Sequence, residues 1–204
     1  SMIPISLFFN SYLDMFKGFE SGISDFLNKE SVSDDMSPID IALKKYDLIL
    51  SGKRIDIILL YGDELYEIGN WMKQLYSESL GKNGFGYLPV ISQMTQDQHS
   101  VLQLYLDGPN DKFYEFYSAN NQESNNFIDL TLANHKQAML KTLENESLPI
   151  VRTSGYFVDN KQSIGYQLGY FFTSSIIETL LLAHLGGVDP FGQDAVEKQK
   201  KYLK

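Results

Sequence analysis

A run of seven residues, IDIILLY at positions 55–61, limits the possible folds more than any other stretch of this sequence. The run is almost continuously apolar and rich in branched residues, whereas a strand with one solvated face alternates apolar and polar residues. We therefore predict a strand that is covered on both faces. Strands of this kind occur mainly in α/β proteins, where helices pack on both sides of a parallel sheet.

Helical and strand patterns alternate around this run. Ser37 and Pro38 form a typical helix start, and Gly52 ends that helix. Its predicted buried residues are Ile41, Leu43, Tyr46, Leu48 and Ile49. Helices are expected over residues 64–80, 97–106, 129–143, 163–185 and from 194 onward, with strands over 87–91, 112–117 and 148–153. This alternation predicts a three-layer αβα sandwich with a mostly parallel, doubly wound sheet and additional C-terminal helices.

The first part of the sequence has a different pattern. Aromatic and aliphatic residues recur at helical spacing over residues 5–26, but Gly18 and Gly22 interrupt them. Because glycine weakens helices, we expect two short helices joined by a turn, followed by a polar loop over residues 28–37. Residues 1–36 are therefore predicted to be a helical lead-in, and residues 37–204 the main domain.

Composition excludes several classes of protein. The 204 residues carry a formal net charge of −9 with only 17 Lys and Arg residues, which argues against a nucleic-acid-binding protein. The absence of cysteine excludes disulfides and thiolate metal sites, and no signal peptide is recognised, so we expect a reducing, cytoplasmic location. No apolar run approaches the length of a membrane span, and we expect no membrane association.

Candidate catalytic residues concentrate in residues 71–109, which read as helix, glycine-rich turn, strand, polar loop and helix. Glu78 falls in the last turn of the first helix, on the flank of its apolar stripe beside Trp71. A partly desolvated carboxylate there could act as a general base, although a solvated surface glutamate is the simpler interpretation. Lys82 lies in the turn, and His99 follows the strand, where α/β sheets often bind ligands.

The remaining candidates are less specific. Lys200 lies at the edge of the apolar stripe of the last helix, so its ammonium is predicted to point toward the body of the protein or to extend into solvent. His135 and His184 lie within helices, where structural roles are favoured. Three widely spaced histidines give no metal signal. The hydroxyl cluster around Thr173 lies inside a helix whose backbone N–H groups are already bonded, which favours a structural role.

Three segments together resemble the glucose-6-phosphate isomerase family. QLYSESLGKNGFGYLPV at residues 74–90 resembles that family's helix-and-turn segment. DQHSVLQLYLDGPNDK at residues 97–112 resembles its histidine-bearing segment, and GGVDPFGQDAVEKQK at residues 186–200 is similar to its C-terminal signature. The segments occur in the family's order, and a weaker likeness extends over nearly the whole chain.

The resemblance implies a role for each candidate residue. Glu78 would move a proton between C1 and C2 of the sugar through a cis-enediol, His99 would assist ring opening, and Lys200 would help open the ring or stabilise developing charge. The same segments imply substrate-binding roles for Lys82, Gln98 and Gln193. No metal or cofactor is implied. The resemblance implies glucose 6-phosphate and fructose 6-phosphate as substrates. It also implies a second copy of the chain as a partner, because the family's active site lies near a subunit interface and some members draw the histidine from a neighbouring subunit.

The sequence also departs from the family. Gly192 stands where the family usually has Asp or Asn before the glutamine, which removes a local hydrogen bond. Neither the family's Ser/Thr-rich phosphate loop nor its Gly-Gly-Arg segment is found, so the resemblance implies the C-terminal sugar-isomerase (SIS) domain. Two alternatives to a catalytic portion remain: a non-catalytic sugar-phosphate-binding module of this fold, and a fragment that merely dimerises.

Overall fold

The computed structural model describes residues 12–28, 37–118, 127–153, 162–200 and 202. Its strands are β1 (Ile55–Tyr61), β2 (Leu88–Met94), β3 (Lys112–Ser118) and β4 (Ile150–Arg152). Its α-helices are α1 (Tyr12–Asn28), α2 (Pro38–Leu50), α3 (Tyr66–Leu80), α4 (Leu102–Asp107), α5 (Phe127–Asn145), α6 (Ile164–Leu185) and α7 (Asp194–Lys200). Short 3-10 helices, Asp63–Leu65 and Asp97–His99, precede α3 and α4.

The four strands form one sheet in the order β2-β1-β3-β4, and every neighbouring pair is parallel. Helices α2, α3 and α6 contribute to the hydrophobic core on one face. Helices α4 and α5 contribute to the core on the other face. The predicted three-layer, doubly wound α/β fold is therefore confirmed.

Strand β1 is covered on both faces, as its apolar sequence predicts. Ile58 and Leu60 lie in the core beneath α2, α3 and α6, whereas Ile57, Leu59 and Tyr61 lie in the opposite core. All five side chains are at most 1% exposed. Alternate residues of a strand point to opposite faces, so burial of both sets requires a helical layer on each side.

Helix α2 begins as predicted but buries a different set of residues. The Ser37 hydroxyl accepts a hydrogen bond from the Asp40 N–H, and the Asp40 carboxylate accepts one from the Ser37 N–H, which forms a capping box. The predicted burial of Leu43 is wrong, because its side chain is 47% exposed. Lys45 is fully buried, since carboxylates from three other elements surround its ammonium.

Two other predicted elements differ from the structure. Strand β2 continues to Met94 rather than ending at residue 91, because its whole length pairs with β1. The helix predicted over residues 97–106 is divided into a 3-10 turn and α4. Asp97 begins the 3-10 turn, and its carboxylate accepts hydrogen bonds from Ser92 Oγ and Gln93 N, which hold the start of the turn close to the end of β2.

Helix α1 is one continuous helix, so the prediction of two short helices broken at glycines is wrong over the described residues. The glycines are instead points of close contact with α6. A Cβ on Gly18 would lie 2.1 Å from the Tyr166 carbonyl oxygen, and one on Gly169 would lie 2.0 Å from the Met15 carbonyl oxygen. Residues 1–11 and most of the predicted loop lie outside the described residues, and the boundary at residue 36 stays a prediction.

Helix α6 is long and apolar enough to satisfy the length and composition of a membrane span, contrary to the expectation that no run approaches it. Its position explains this composition. The helix contacts α1, α2 and α3 and packs on the sheet, and half of the apolar window is buried inside the protein. It also carries the buried, ion-paired Glu178. A helix surrounded on most sides by other elements is apolar around most of its circumference.

Because of the close contact between α1 and α6, we expect replacement of a helical glycine by alanine to destabilise the protein, although this change usually stabilises a helix. Gly18→Ala should lower the free energy of unfolding by about 1–3 kcal/mol, because the added methyl group would overlap the α6 backbone. In an uncrowded helix the same change would raise stability by up to about 1 kcal/mol. Urea unfolding measures the difference, with Glu20→Ala on the exposed side of α1 as the control. A stabilising Gly18→Ala change would contradict the close contact.

Candidate active site

Glu78 lies in the last turn of α3, and its carboxylate is held by two side-chain amides. Gln74 Nε2 donates a hydrogen bond to Oε1 at 3.1 Å, and Gln193 Nε2 donates one to Oε2 at 2.7 Å. Gln74 lies one turn earlier on the same helix, whereas Gln193 precedes α7. The side chain is partly buried. The two neutral donors orient the carboxylate, and each oxygen keeps further acceptor capacity.

Residues 81–86, here called the glycine turn, follow Glu78 and fold back over the end of α3. Gly86 has a φ of 101°, and a Cβ at this position would lie 2.9 Å from the Leu80 carbonyl oxygen. Arg54 Nη1 donates a hydrogen bond to the Gly86 carbonyl oxygen at 3.3 Å. Glycine is therefore required here both for its left-handed conformation and for the close approach of the backbone.

Residues 186–193, here called the C-terminal turn, pack on the glycine turn. Lys82 Nζ donates a hydrogen bond to the Asp189 carbonyl oxygen. The Phe85 ring lies so close to Gly186 that a Cβ there would be 2.4 Å from Cε1. Together with the Gln193 contact to Glu78, these interactions bring three predicted site residues, Glu78, Lys82 and Gln193, to one place.

His99 and Gln98 lie elsewhere in the same chain. Helix α3 runs back from the carboxyl end of β1, so Glu78 lies at the amino edge of the sheet, whereas His99 follows the carboxyl end of β2. A strand of seven residues separates these edges by about 20 Å. His99 is exposed, and Gln98 Oε1 accepts a hydrogen bond from His135 Nδ1 at 3.0 Å. One chain therefore does not bring Glu78 and His99 together.

Lys200 does not point toward the body of the protein, so that prediction is wrong and the alternative of an ammonium in solvent is correct. Lys200 Nζ forms an ion pair with Glu197 Oε1 at 2.5 Å, and both side chains are 60% exposed. Val196, from the predicted apolar stripe, is itself 46% exposed. Lys200 lies seven residues after Gln193, which corresponds to about 10 Å along a helix axis.

The threonines of the hydroxyl cluster have partners within their own helix. Thr173 Oγ1 and Thr179 Oγ1 donate hydrogen bonds to the carbonyl oxygens of Gly169 and Ser175 within α6, at 3.0 and 2.7 Å, which confirms their structural role. His184 is exposed. Among the described residues, no group of three His, Asp or Glu side chains is placed to hold a metal ion.

Five ionisable residues that the sequence patterns did not predict to meet form a set, here called the buried charge cluster. It comprises Lys45 of α2, Asp56 of β1, Glu115 of β3, Arg152 of β4 and Glu178 of α6, all at most 7% exposed. Lys45 Nζ lies 2.5 Å from Glu115 Oε1, 2.7 Å from Glu178 Oε1 and 3.6 Å from Asp56 Oδ2. Arg152 Nη2 lies 2.6 Å from Glu178 Oε2, and Nε lies 3.3 Å from Glu115 Oε2.

Burial and neighbouring charges shift the pKa values of Lys45, Asp56 and Glu115 in this cluster. Burial lowers the pKa of Lys45, but the carboxylates of Glu115 and Glu178 outweigh it and raise that pKa well above its ordinary value. Burial raises the pKa of Glu115, but Lys45 and Arg152 reduce it to about 2. Burial and the neighbouring Glu115 carboxylate raise the pKa of Asp56 well above its ordinary value. The cluster is then neutral, with two cations, two carboxylates and a protonated Asp56.

A sequence signal for this cluster existed. Asp56, Glu115 and Glu178 are single acidic residues inside otherwise apolar or aromatic runs, where a charge is unexpected unless it is paired. Pairing between runs that are distant in sequence depends on which strands and helices are neighbours. The signal therefore marks the residues but does not identify their partners.

Glu115→Gln should lower the free energy of unfolding by about 3–5 kcal/mol at neutral pH, because two buried cations then share one carboxylate. Asp56→Asn should raise the free energy of unfolding at neutral pH, because the folded protein holds that carboxyl protonated whereas the unfolded chain ionises it, and asparagine avoids this cost. The folded-state pKa of Glu115 is about 2 rather than 4.5. Its contribution is therefore complete above about pH 4.5 and is lost as the pH falls toward 2.

Urea unfolding at neutral pH and at a series of acidic pH values measures both effects. The stability difference between the wild-type protein and Glu115→Gln should shrink as the pH falls. A difference that stayed constant with pH, or an Asp56→Asn variant as unstable as Glu115→Gln, would contradict the assigned charges.

Comparison with known proteins places the chain among sugar-phosphate isomerases. No family model matches it. The probable glucose-6-phosphate isomerase of Methanococcus maripaludis is 34% identical over 166 residues, which are 74% of this chain and 36% of that protein. The glucose-6-phosphate isomerase of Methanocaldococcus jannaschii is 33% identical over 164 residues, 74% of this chain and 40% of that enzyme.

Solved structures show the same fold. The glucose-6-phosphate isomerase of Chlamydia trachomatis matches with a TM-score of 0.69 at 16% identity, over 93% of this chain and 41% of that chain. A hypothetical protein from Thermus thermophilus matches with a TM-score of 0.69 at 20% identity, over 93% of this chain and 49% of that one. The chain spans less than half the length of these relatives. It belongs to the glucose-6-phosphate isomerase family.

Proposed function

We propose that this protein takes part in the reversible isomerisation of glucose 6-phosphate and fructose 6-phosphate, with Glu78 as the general base. The observation that carries the proposal is the Glu78 carboxylate itself, oriented by Gln74 and Gln193 in a chain of the isomerase family. An ionised carboxylate at the end of a helix, next to a close-packed backbone turn, can accept a proton from a carbon held against it.

The reaction requires balanced proton transfers. In ring opening, His99 would protonate the ring oxygen as the C1 hydroxyl releases its proton to solvent. Glu78 then takes the proton from C2 of the aldose, which gives a cis-enediolate whose negative charge Lys200 would stabilise. A proton passes from O2 to O1 through the cis-enediol, and Glu78 returns its proton to C1 to form the ketose. Lys82, Gln98 and Gln193 would bind the substrate's hydroxyl groups. No metal or cofactor enters these steps.

We further propose that two copies of the chain complete each active site. Glu78 and His99 lie at opposite edges of the sheet, about 20 Å apart by strand length. A six-carbon sugar phosphate is too short to contact both in one chain. A homodimer that places His99 of one copy beside Glu78 of the other would supply both groups to one substrate.

The phosphate of the substrate needs a binding site as well. The chain carries a net charge of −9, and its match covers only 36% and 40% of two curated relatives. We propose that it corresponds to their C-terminal sugar-isomerase (SIS) domain, and that a further domain supplies the main phosphate contacts. A cytoplasmic location fits the absence of cysteine.

Glu78→Gln should abolish proton transfer while leaving the fold intact. We expect wild-type protein to exchange the C2 hydrogen of glucose 6-phosphate with solvent. Glu78→Gln should lower the rate of this exchange by on the order of 10²–10⁴-fold. Glu67→Gln, an exposed glutamate in the first turn of the same helix, is the matched control and should have no effect. Isomerisation of fructose 6-phosphate is measured beside the exchange, both in this chain and in a version extended by a preceding domain.

Loss of exchange only in Glu78→Gln supports the proposal, and equal rates in Glu78→Gln and Glu67→Gln would refute it. A second candidate function is a non-catalytic sugar-phosphate-binding module. The exposed positions of His99 and Lys200, away from the Glu78 carboxylate, favour it. This second function would be established instead if calorimetry showed binding of fructose 6-phosphate while the C2 hydrogen of glucose 6-phosphate did not exchange, in the extended protein as well.

Mixed dimers test whether Glu78 and His99 act across two copies. Glu78→Gln and His99→Ala proteins should each be inactive. When they are unfolded together and refolded as an equal mixture, half of the dimers are hybrids with one intact site of two, so about a quarter of wild-type activity should return. The matched control mixes Glu78→Gln with Lys82→Ala, which lie at the same edge and should show no recovery. Absence of recovery in the first mixture would show that the residues do not act across copies.

A further inference from the structure

The buried charge cluster contacts the two segments that surround the Glu78 carboxylate. One segment is the end of α3 with the glycine turn, and the other is α6 with the C-terminal turn. The Lys45 ammonium contacts one of these segments through aromatic residues. It lies 4.4 Å from the centre of the Tyr76 ring and 3.4 Å from the Tyr87 hydroxyl. Tyr76 precedes Glu78 by two residues in the last turns of α3, and Tyr87 follows the glycine turn. Lys45 therefore contacts the chain on both sides of the glycine turn.

The same ammonium contacts the other segment through Glu178. Glu178 Oε1 lies 2.7 Å from Lys45 Nζ, and its other oxygen binds Arg152. Glu178 belongs to α6, which ends at Leu185 and leads into the C-terminal turn. That turn carries the Asp189 carbonyl and Gln193 to Lys82 and Glu78. One buried cation thus connects α3, which carries Glu78, with α6, which leads to Gln193.

The geometry points to a role for this cation that the fold alone does not require. Burying an ion pair costs desolvation energy, and apolar residues of similar volume often give equal or greater stability. An ion pair fixes distance and direction more narrowly than apolar packing does, because its energy depends on the positions of the charged atoms. We propose that Lys45 is a positioning residue for Glu78: its ammonium holds α3 and α6 in the relative placement at which Gln193 donates to the Glu78 carboxylate.

An effect of Lys45 on catalysis rests on the proposed function, whereas its effect on the relative placement of α3 and α6 does not. With Lys45 replaced by Met, Glu115 and Glu178 share only Arg152 and leave an uncompensated buried charge. The double variant Lys45→Met/Glu178→Gln removes one cation and one carboxylate together, so the cluster stays neutral. We expect the double variant to fold but to lose the fixed spacing between α3 and α6.

The experiment follows the side-chain amide of Gln193 by NMR as a function of pH. In wild-type protein its resonance should shift as Glu78 titrates, because Gln193 Nε2 donates to Glu78 Oε2. In Lys45→Met/Glu178→Gln this pH-dependent shift should be lost or reduced severalfold. Leu143→Ala is the control, because it removes a fully buried side chain from the core on the opposite face and should lower stability without altering the Gln193 titration.

Loss of the Gln193 titration in the double variant, with retention in Leu143→Ala, supports the proposal. An unchanged titration in the double variant, or an equal loss in Leu143→Ala, overturns it. In an active enzyme, the double variant should lower kcat by on the order of 10–100-fold with little change in KM, since misplacement of a catalytic group affects the chemical step most. If neither this chain nor the version extended by a preceding domain shows isomerase activity, the proposed function fails, but the Gln193 titration still decides the positioning role.

Discussion

The contact between Lys45 and the carboxylates of Glu115 and Glu178 connects distant parts of this structure. Its members come from strand β3 and helices α2 and α6, and Arg152 adds the edge strand β4. A charge placed in a protein interior without a partner costs several kcal/mol, so each member depends on the others. The helical layer formed by α2 and α6 can therefore occupy one position on the sheet, and the C-terminal turn follows from the position of α6.

The direction of the strands determines how the candidate site is divided. All four strands are parallel, so helices return to the amino edge and loops leave from the carboxyl edge. Glu78, Lys82 and Gln193 meet at the amino edge because α3 ends there and α6 delivers the C-terminal turn to the same edge. His99 follows β2 and so lies at the other edge. The two residues of the proposed acid-base pair are separated by the length of the sheet, which makes a second chain part of the proposed chemistry.

The contact between α1 and α6 shows how tertiary structure can reverse the meaning of a local pattern. Glycine is a poor helix former, and Gly18 and Gly22 in an amphipathic segment are typical of a break. Here the missing side chains let two helix backbones approach each other, and Gly169 of α6 does the same from the other side. The contact outweighs the cost of glycine in a helix, so α1 is continuous.

Much of this protein followed from the sequence by itself. The apolar run at residues 55–61, the Ser37-Pro38 helix start and the alternation of elements predicted the α/β sandwich, because periodicity and capping are local properties. The three motif segments predicted the family, which the comparisons confirmed. The grouping of Glu78 with Lys82 and Gln193 was implied by resemblance, and the structure places these residues together.

Only the tertiary structure decided which charges are buried and where the remaining site residues lie. Lys45 is a charged residue on the buried face of its helix, and it stays there because three carboxylates from distant parts of the chain surround it. Lys200 extends into solvent, because the described side chains of α7 are exposed. Partners of a buried charge and the neighbours of a surface helix are set by contacts between distant residues. Local periodicity carries no information about such contacts.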